Sequence, residues 1–194
     1  ETNCGFGTAR GVDLNRNYSF GWGTDNIGSS ANPCSETYRG TSGFSEPETQ
    51  AVRDFISGRE FMNVLHYHTY SNIYIHPWGS GELPGQPDLN SFNQIGNEMA
   101  KYNRYDVGTG LSTIGYTVNG DAVDWTYGSQ GLISFTPEVG TYEQGFWPSE
   151  DEIIDLCSLQ VYPNKLFSLV SGPDLIVFSS QSSSDEFLPG EEIE

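Results

Sequence analysis

Positive charge is scarce in this sequence. The chain of 194 residues has 8 Lys and Arg residues against 26 Asp and Glu residues, which gives a formal net charge of -18. A surface of this sign repels nucleic-acid phosphates and anionic lipids, so these partners are excluded. No apolar run approaches the ~18 residues that a membrane-spanning helix needs. We therefore expect a soluble protein that binds neither nucleic acid nor membranes.

Cysteine is also sparse. Cys4, Cys34 and Cys157 are too few for a disulfide scaffold and too scattered for a Cys-x-x-Cys metal site. In an exported protein we expect a bridge between Cys4 and Cys34, with Cys157 left as a buried thiol. Three free, buried cysteines are the alternative.

The sequence pattern predicts alternating strands and helices, and so an α/β fold. Residues 1–45 are rich in glycine and lack apolar periodicity, which predicts loops that carry function. The first helix has Ser45 as its N-cap and ends at Gly58. The other predicted elements are strands over 61–68 and 72–76, a helix over 87–104, a strand over 132–136 that Pro137 stops, and a helix over 149–169 that Pro163 kinks or divides.

The composition changes near residue 171. Beyond Gly172 and Pro173, residues 174–179 are predicted to form a new strand, and a Ser-rich, acidic run follows them. We therefore predict one domain over residues 1–171, followed by a linker and a single strand over 172–194.

The three histidines are His66, His68 and His76. On an extended strand His66 and His68 share a face, so both could bind one metal ion. The alternative is that they hydrogen-bond within the core. His76 precedes a proline and a tryptophan, and we expect it to be structural.

Two charged residues are candidates for chemistry. Glu138 follows a predicted buried strand, at the edge where α/β sheets place their ligands, and a carboxylate there can act as a general base. Arg16, beside Asn15 in a glycine-rich loop, suits bidentate recognition of a carboxylate. An internal ion pair with Asp13 is the alternative for Arg16.

Tyr116 is a candidate for a mobile contact. It lies in the segment 115–125, where Gly115 and Gly120 would allow the backbone to move as a lid over a substrate. An ordinary exposed loop tyrosine is the alternative.

Taken together, these residues resemble the zinc carboxypeptidase family, the metallo-exopeptidases of the carboxypeptidase A and B type. The matching stretches, in the family's order, are Gly-Val-Asp-Leu-Asn-Arg-Asn-Tyr at 11–18, Pro-Cys-Ser-Glu-Thr-Tyr-Arg-Gly at 33–40 with Ser-Glu-Pro-Glu at 45–48, Tyr-His-Thr-Tyr-Ser at 67–71, Tyr116 through Trp125, and Ser-Phe-Thr-Pro-Glu at 134–138. The resemblance implies a mixed β-sheet sandwiched between helices.

The resemblance also implies a role for each matched residue. His68 matches a zinc ligand, Asn15 and Arg16 match the pair that holds the terminal carboxylate of a peptide, and Tyr116 matches the mobile tyrosine that closes over it. Glu138 matches the general base. The implied cofactor is one Zn²⁺ ion, which polarises the scissile carbonyl and lowers the pKa of its water to about 7. The implied partners are the C-termini of peptides or proteins, and the implied reaction removes the last residue.

Specificity is implied only in part. Val123 matches the position that lines the pocket for the departing side chain, which favours apolar or aromatic residues. Asp121, in the same loop, could also accept Lys or Arg, as in the dual-specificity bacterial carboxypeptidase T type. The matched pattern does not include His66, which becomes a supporting residue.

One departure from the family bears on activity. The His-x-x-Glu zinc motif is absent from these 194 residues, and a catalytic zinc site needs about three protein ligands. We therefore expect an N-terminally truncated catalytic domain that is inactive without the missing segment.

The tail of the chain gives a further expectation. It resembles the first strand of the immunoglobulin-like, adhesion-type modules that follow secreted bacterial hydrolases. A secreted or periplasmic bacterial enzyme is therefore the leading interpretation. A catalytically dead module that binds peptide C-termini, and an unrelated zinc hydrolase built on His66 and His68, are the alternatives.

Overall fold

Four strands form one mixed sheet in this computed structural model, which describes Cys4 and residues 11–172. The strands are β1 (Asn63–Leu65), β2 (Ile73–Ile75), β3 (Asp106–Gly108) and β4 (Ile133–Glu138), in the order β1-β4-β2-β3. β1 pairs with β4 in parallel, β4 pairs with β2 antiparallel, and β2 pairs with β3 in parallel. The predicted α/β class with a mixed sheet is confirmed.

In residues 11–172, six α-helices accompany the sheet: α1 (Pro47–Ser57), α2 (Asp88–Met99), α3 (Gly110–Thr113), α4 (Ala122–Gln130), α5 (Ile153–Leu159) and α6 (Val161–Val170). Two short 3₁₀ helices span Leu14–Arg16 and Glu150–Glu152. The strands predicted over 61–68 and 72–76 are present but shorter, and the helix predicted over 87–104 ends at Met99. β3, α3 and α4 were not predicted.

The alternation of side chains along β4 separates the core from the site. Phe135 is fully buried in a cluster with residues of α2 and α6. Ser134 is on the opposite face, where its hydroxyl donates to the carbonyl of Val123 in α4 at 3.0 Å. Because side chains alternate along a strand, Thr136 and Glu138 share the α4 side with Ser134. Glu138 is therefore placed away from the main apolar core.

A second apolar cluster holds the loop-rich N-terminal region in place. Tyr18 packs edge-on against Phe44 at 5.5 Å between ring centroids and lies 5.7 Å from the Trp125 ring of α4. Ile56 of α1 and Leu132 belong to the same cluster. The region from residue 11 to 45 has little regular structure, as predicted, yet it is fixed against two helices.

Asn17 explains why α1 begins later than predicted. Its side-chain amide donates to the hydroxyl of Ser45 at 2.8 Å, and its oxygen accepts from the backbone N–H of Glu46 and the hydroxyl of Thr49. The Ser45 hydroxyl also donates to the Glu46 carboxylate at 2.6 Å. Ser45 is thus occupied elsewhere, so the prediction of Ser45 as the N-cap is wrong: Glu46 is the N-cap and Pro47 the first helical residue.

Two prolines act differently from the prediction. β4 continues through Pro137 to Glu138, because the carbonyl of Pro137 still accepts a bond from the backbone N–H of His68 at 2.8 Å. The C-terminal helix is divided at Gln160 instead of Pro163. Pro163 lies in the first turn of α6, where a missing N–H costs no intrahelical bond.

The cysteine prediction is confirmed in one part and wrong in the other. Cys4 and Cys34 form a disulfide, as expected for an exported protein. Cys157 is a free thiol but is exposed on α5, whereas a buried thiol was predicted. No residue of α5 is buried, which agrees with the exposure of Cys157.

The predicted linker and strand over 172–194 lie, apart from Gly172, outside the residues that the structure describes, so this domain boundary stays a prediction. Across Cys4 and residues 11–172, no helix has the length and apolar character that crossing a membrane requires.

Candidate active site

A cavity of about 570 Å³ opens beside the C-terminal end of β4. Six of the seven predicted site residues line it, and they come from four separate parts of the chain: Asn15, Arg16, His68, Tyr116, Asp121 and Glu138. The fold therefore brings together residues that are more than a hundred positions apart in the sequence.

Arg16 lies at the end of the first 3₁₀ helix, which Asp13 caps by accepting from the backbone N–H of Asn15 at 3.0 Å. The Arg16 Nη1 donates to the carbonyl of Asn15 at 2.8 Å, while its distance to the Asp13 carboxylate is 3.8 Å. The ion pair with Asp13 is therefore long, and the Arg16 Nε has no hydrogen-bond partner among the described residues. Arg16 retains donors for a ligand.

Asn15 connects the N-terminal loop to α4. Its side-chain oxygen accepts from the backbone N–H of Ala122 at 3.0 Å, which satisfies one of the free N–H groups at the start of that helix. Since the oxygen is used in this way, the amide NH₂ of Asn15 is the part left for the cavity, next to Arg16. Together Asn15 and Arg16 present donors that suit a carboxylate.

Glu138 and His68 are held next to each other by the backbone. His68 donates to the carbonyl of Pro137, and its own carbonyl accepts from Val139 at 2.9 Å, so it pairs with the end of β4. The His68 Nδ1 lies 3.9 Å from a carboxylate oxygen of Glu138, which is 9% exposed. Burial raises the pKa of Glu138 to about 7, and the positive charge of Arg16 opposes this rise. Burial also lowers the pKa of His68.

The described side chains do not form a metal site by themselves. Among residue 4 and residues 11–172, no group of three or more His, Cys, Asp or Glu side chains could hold a metal ion. His68 is the one histidine in the described cavity lining, and an imidazole nitrogen is a common zinc ligand. The described donors thus fall short of the three that a catalytic zinc ion needs.

The other two histidines are not at this cavity. His66 places its Nε2 3.1 Å from the hydroxyl of Thr126, and burial lowers its pKa to about 4. This agrees with a supporting residue and gives no support to a zinc site shared with His68. His76 is buried, stacks on Phe92 and hydrogen-bonds the carbonyl of Pro77, so the prediction of a structural histidine is confirmed.

The predicted lid is shorter than expected. Tyr116 is 52% exposed at the cavity, and burial raises the pKa of its phenol. The second half of the predicted lid, however, belongs to the buried helix α4. Gly120 has a φ of 73°, and a Cβ there would lie 2.7 Å from the carbonyl oxygen of Arg16. Gly120 therefore serves a close backbone approach, and its role as a hinge stays a prediction.

Asp121 and Val123 differ in their relation to the cavity. Asp121 is 5% exposed, lines the cavity and has one carboxylate oxygen without a hydrogen-bond partner in the described part of the chain. Burial raises its pKa, against the opposing charge of Arg16. Val123 is 2% exposed inside α4 and is not part of the described lining. Its contact with a departing side chain stays a prediction.

Two sets of residues near the cavity were missed by sequence reasoning. Asp124, buried in the first turn of α4, accepts from the backbone N–H of Gly79 at 3.0 Å. Tyr70, Tyr142 and Phe146 form an aromatic rim, with the Tyr70 ring 5.6 Å from Tyr142 and 5.0 Å from Phe146. The aromatic run around residue 146 was the one available signal for this rim.

Asp124 leads to a prediction about pH. Burial and the neighbouring charge of Asp121 both raise its pKa above the ordinary 3.8. A carboxyl whose pKa is higher in the folded chain than in the unfolded chain contributes stability that is present at low pH and is lost as the pH rises. Asp124→Asn removes this titration. The free energy of unfolding of the variant minus that of the original chain should therefore rise by about 1 kcal/mol or more between about pH 5 and pH 9.

The measurement is urea unfolding of the 194-residue chain across this pH range. The exposed Asp155→Asn is the matched control and should leave the slope unchanged. A constant difference between Asp124→Asn and the original chain would contradict the assignment.

The comparisons with known proteins agree with this geometry. Residues 2–161 match the family described as zinc carboxypeptidase. The chain is 36% identical over 154 residues to carboxypeptidase B of Astacus astacus, covering 75% of this chain and 50% of that protein. It is 34% identical over 151 residues to carboxypeptidase A1 of Bos taurus, covering 74% of this chain and 35% of that protein.

Solved structures show the same likeness. Bovine thrombin-activatable fibrinolysis inhibitor, in complex with tick carboxypeptidase inhibitor, has a TM-score of 0.74 at 30% identity, covering 82% of this chain and 57% of that one. Carboxypeptidase A from Helicoverpa armigera has a TM-score of 0.72 at 28% identity, covering 83% of this chain and 42% of that one. The chain thus spans about half, or less, of the length of these relatives. By sequence and by fold, it belongs to the zinc carboxypeptidase family.

Proposed function

We propose that this chain forms the substrate-binding part, and a share of the catalytic part, of a zinc metallocarboxypeptidase that removes the C-terminal residue of peptides. One observation carries the proposal: the partly unpaired guanidinium of Arg16 lies in the same cavity as Glu138 and His68. A carboxylate binder, a base and a metal-ligating imidazole are the groups that such a hydrolase needs close together.

Each of these residues has a separate role in the proposed reaction. Arg16 and Asn15 hold the terminal carboxylate, so a peptide without a free C-terminus leaves these donors unpaired and is rejected. Glu138 takes a proton from the attacking water and passes it to the leaving amine. Tyr116 donates its phenolic hydrogen bond to the bound peptide. Zinc, when bound, supplies Lewis-acid stabilisation of the scissile carbonyl.

The remaining zinc ligands are proposed to come from a segment of the parent protein that these residues do not include. Two features support this. In the described part of the sheet β1 pairs only with β4, which leaves its other edge for a further strand. A groove of about 730 Å³ with an apolar lining also runs past His68, bounded by Phe146 and Leu156. A segment in this groove could bring ligands to His68.

The preferred C-terminal residue is proposed to be apolar or basic. Asp121 supports the basic option, because the residue lines the cavity and its buried carboxylate has one oxygen without a hydrogen-bond partner in the described part of the chain. A Lys or Arg side chain would supply the missing donor and a compensating charge. Val123 supports the apolar option, through the family resemblance alone.

A catalytically dead module that binds peptide C-termini is the second candidate. The observation that favours it is that Asn15 and Arg16 are fixed at the cavity by protein contacts alone, so the binding of a carboxylate there does not require zinc. The disulfide between Cys4 and Cys34 supports an exported protein in either case, since such bonds persist in oxidising compartments.

Two pairs of peptides test both candidates. Peptides ending in Phe or Lys are prepared with a free carboxylate and as C-terminal amides, and are offered to the 194-residue chain and to a longer protein that contains it. We expect both proteins to bind the free acids and not the amides. We expect the longer protein alone to release the last residue, and a chelator to stop this.

The outcomes separate the candidates. Selective binding without release by the longer protein would favour the dead module. Equal binding of acids and amides would overturn both proposals.

A further inference from the structure

Tyr116 and Thr117 lie between two hydrogen-bonded ends of their segment. In the described part of the chain, neither Tyr116 nor Thr117 makes a backbone hydrogen bond. Gly115, just before them, donates to the carbonyl of Gly110 at 3.0 Å and has a φ of 83°, which suits a flexible glycine. Tyr116 and Thr117 are therefore the part of this segment that backbone hydrogen bonds restrain least.

The opposite end is fixed by backbone contacts. Val118 donates to the carbonyl of Gly79 at 2.8 Å, and the carbonyl of Gly120 accepts from Tyr18 at 2.8 Å. A Cβ added to Gly28 would lie 2.8 Å from the carbonyl carbon of Val118, so the loop containing Gly28 is in tight contact with this end. The backbone from residue 118 onward therefore belongs to the rigid part of the site.

Asn119 provides the side-chain part of this attachment. It is 8% exposed, and its amide nitrogen donates to the carboxylate of Asp25 at 2.8 Å, while its oxygen accepts from the hydroxyl of Ser29. Arg39 donates to the same hydroxyl at 3.1 Å and to the carbonyl of Asp25 at 2.9 Å. Both the nitrogen and the oxygen of the Asn119 amide are thus hydrogen-bonded, and Arg39 in turn hydrogen-bonds their partners Asp25 and Ser29.

We propose that Asn119 is a positioning residue for the reaction, which anchors the Tyr116 segment so that its motion is confined to residues 115–117. The inference rests on the proposed function, because it is Tyr116 and Asp121 that the anchor positions for the substrate. Asn119 lies between them, two residues before Asp121 and three after Tyr116. It contacts neither the cavity described above nor the reacting atoms, and acts through its neighbours.

The anchor is tested first by hydrogen exchange in the 194-residue chain. Asn119→Ala should accelerate exchange of the backbone amides of residues 118 and 119, which donate to the carbonyls of Gly79 and Gly28, by about tenfold, the loss expected for two hydrogen bonds, with no change in α2. The exposed Asn90→Ala, in α2, should change neither region. Unchanged exchange at residues 118 and 119 in Asn119→Ala would overturn the proposal.

Interchanging Asn and Asp across the contact between residues 119 and 25 distinguishes a hydrogen bond from simple packing. Asn119→Asp places a second carboxylate against Asp25 and should be at least as impaired as Asn119→Ala. Combining it with Asp25→Asn restores one donor and one acceptor across the contact. This double variant should recover exchange rates within about threefold of the original chain, and failure to recover them would count against the pairing.

Kinetics in the longer protein test the positioning role. Asn119→Ala should raise KM for a peptide with a free carboxylate by about tenfold and change kcat by less than about twofold, because the anchor affects binding more than the proton transfer at Glu138. Unchanged KM with accelerated exchange would overturn the positioning role. If no peptide is hydrolysed at all, the proposed function fails, and the exchange result still decides whether Asn119 fixes the segment.

Discussion

Arg16→Ala is expected to weaken the binding of a peptide with a free C-terminal carboxylate by about 100-fold or more, and to leave the weak binding of its amide unchanged. The reason is that a charge-assisted pair in a partly buried site loses about 2 to 5 kcal/mol when one partner is removed. The bound carboxylate would then face Asp121 and Glu138 without the one Lys or Arg side chain of the described cavity lining. Isothermal titration with the acid and amide peptides measures this difference.

Two further variants make the test specific. Arg16→Lys keeps the charge but loses the planar fork, so it should recover part of the affinity and little of the acid-over-amide preference. The exposed Arg59→Ala should behave as the original chain. The role of Arg16 is wrong if Arg16→Ala weakens the binding of acid and amide peptides equally.

Glu138→Gln is expected to reduce turnover by about 10² to 10⁴ and to change peptide affinity by less than about threefold. General-base contributions have this size, and an amide of the same shape cannot accept the proton. Glu138 is buried next to His68, and a packing role for it would be largely preserved by glutamine. Steady-state kinetics of the longer, zinc-loaded protein gives kcat, and calorimetry gives the affinity.

Glu143→Gln is the matched control for this variant, because Glu143 is exposed on the loop that follows β4. Glu143→Gln should change neither kcat nor the affinity for the peptide by more than about twofold. Turnover of Glu138→Gln within about tenfold of the original enzyme would exclude Glu138 as the base. A zinc measurement on both proteins ensures that lost metal is not the cause.

Several site residues could be predicted because local rules place them. Glu138 follows a predicted buried strand, so it was expected at an edge of the sheet, and His68 was expected at the end of the strand predicted over 61–68. Arg16 and Asn15 were recognisable as polar groups in a glycine-rich loop. These predictions used short-range sequence patterns. It is the folded sheet that places these residues around one cavity.

Other features depend on contacts that sequence patterns do not encode. α4 has apolar, polar and aromatic residues buried together and begins at Ala122 without a capping side chain of its own; its first N–H is satisfied by Asn15, which is far away in the sequence. The segment 115–125 therefore looked like a loop throughout. The extension of β4 through Pro137 likewise depends on a bond from His68.

The free edge of β1 has a consequence for handling the protein. In the described residues β1 has one unpaired edge, and the exposed Phe55 of α1 lines a groove with Val64 and Leu65 of β1; such a surface is a template on which chains can associate. Mutual repulsion between copies with a formal net charge of -18 acts against this association. At an ionic strength of 0.1 M, dissolved salt screens the repulsion between exposed charges that are more than about 10 Å apart. Colloidal stability of the chain therefore depends on ionic strength, with dilute salt keeping the copies apart.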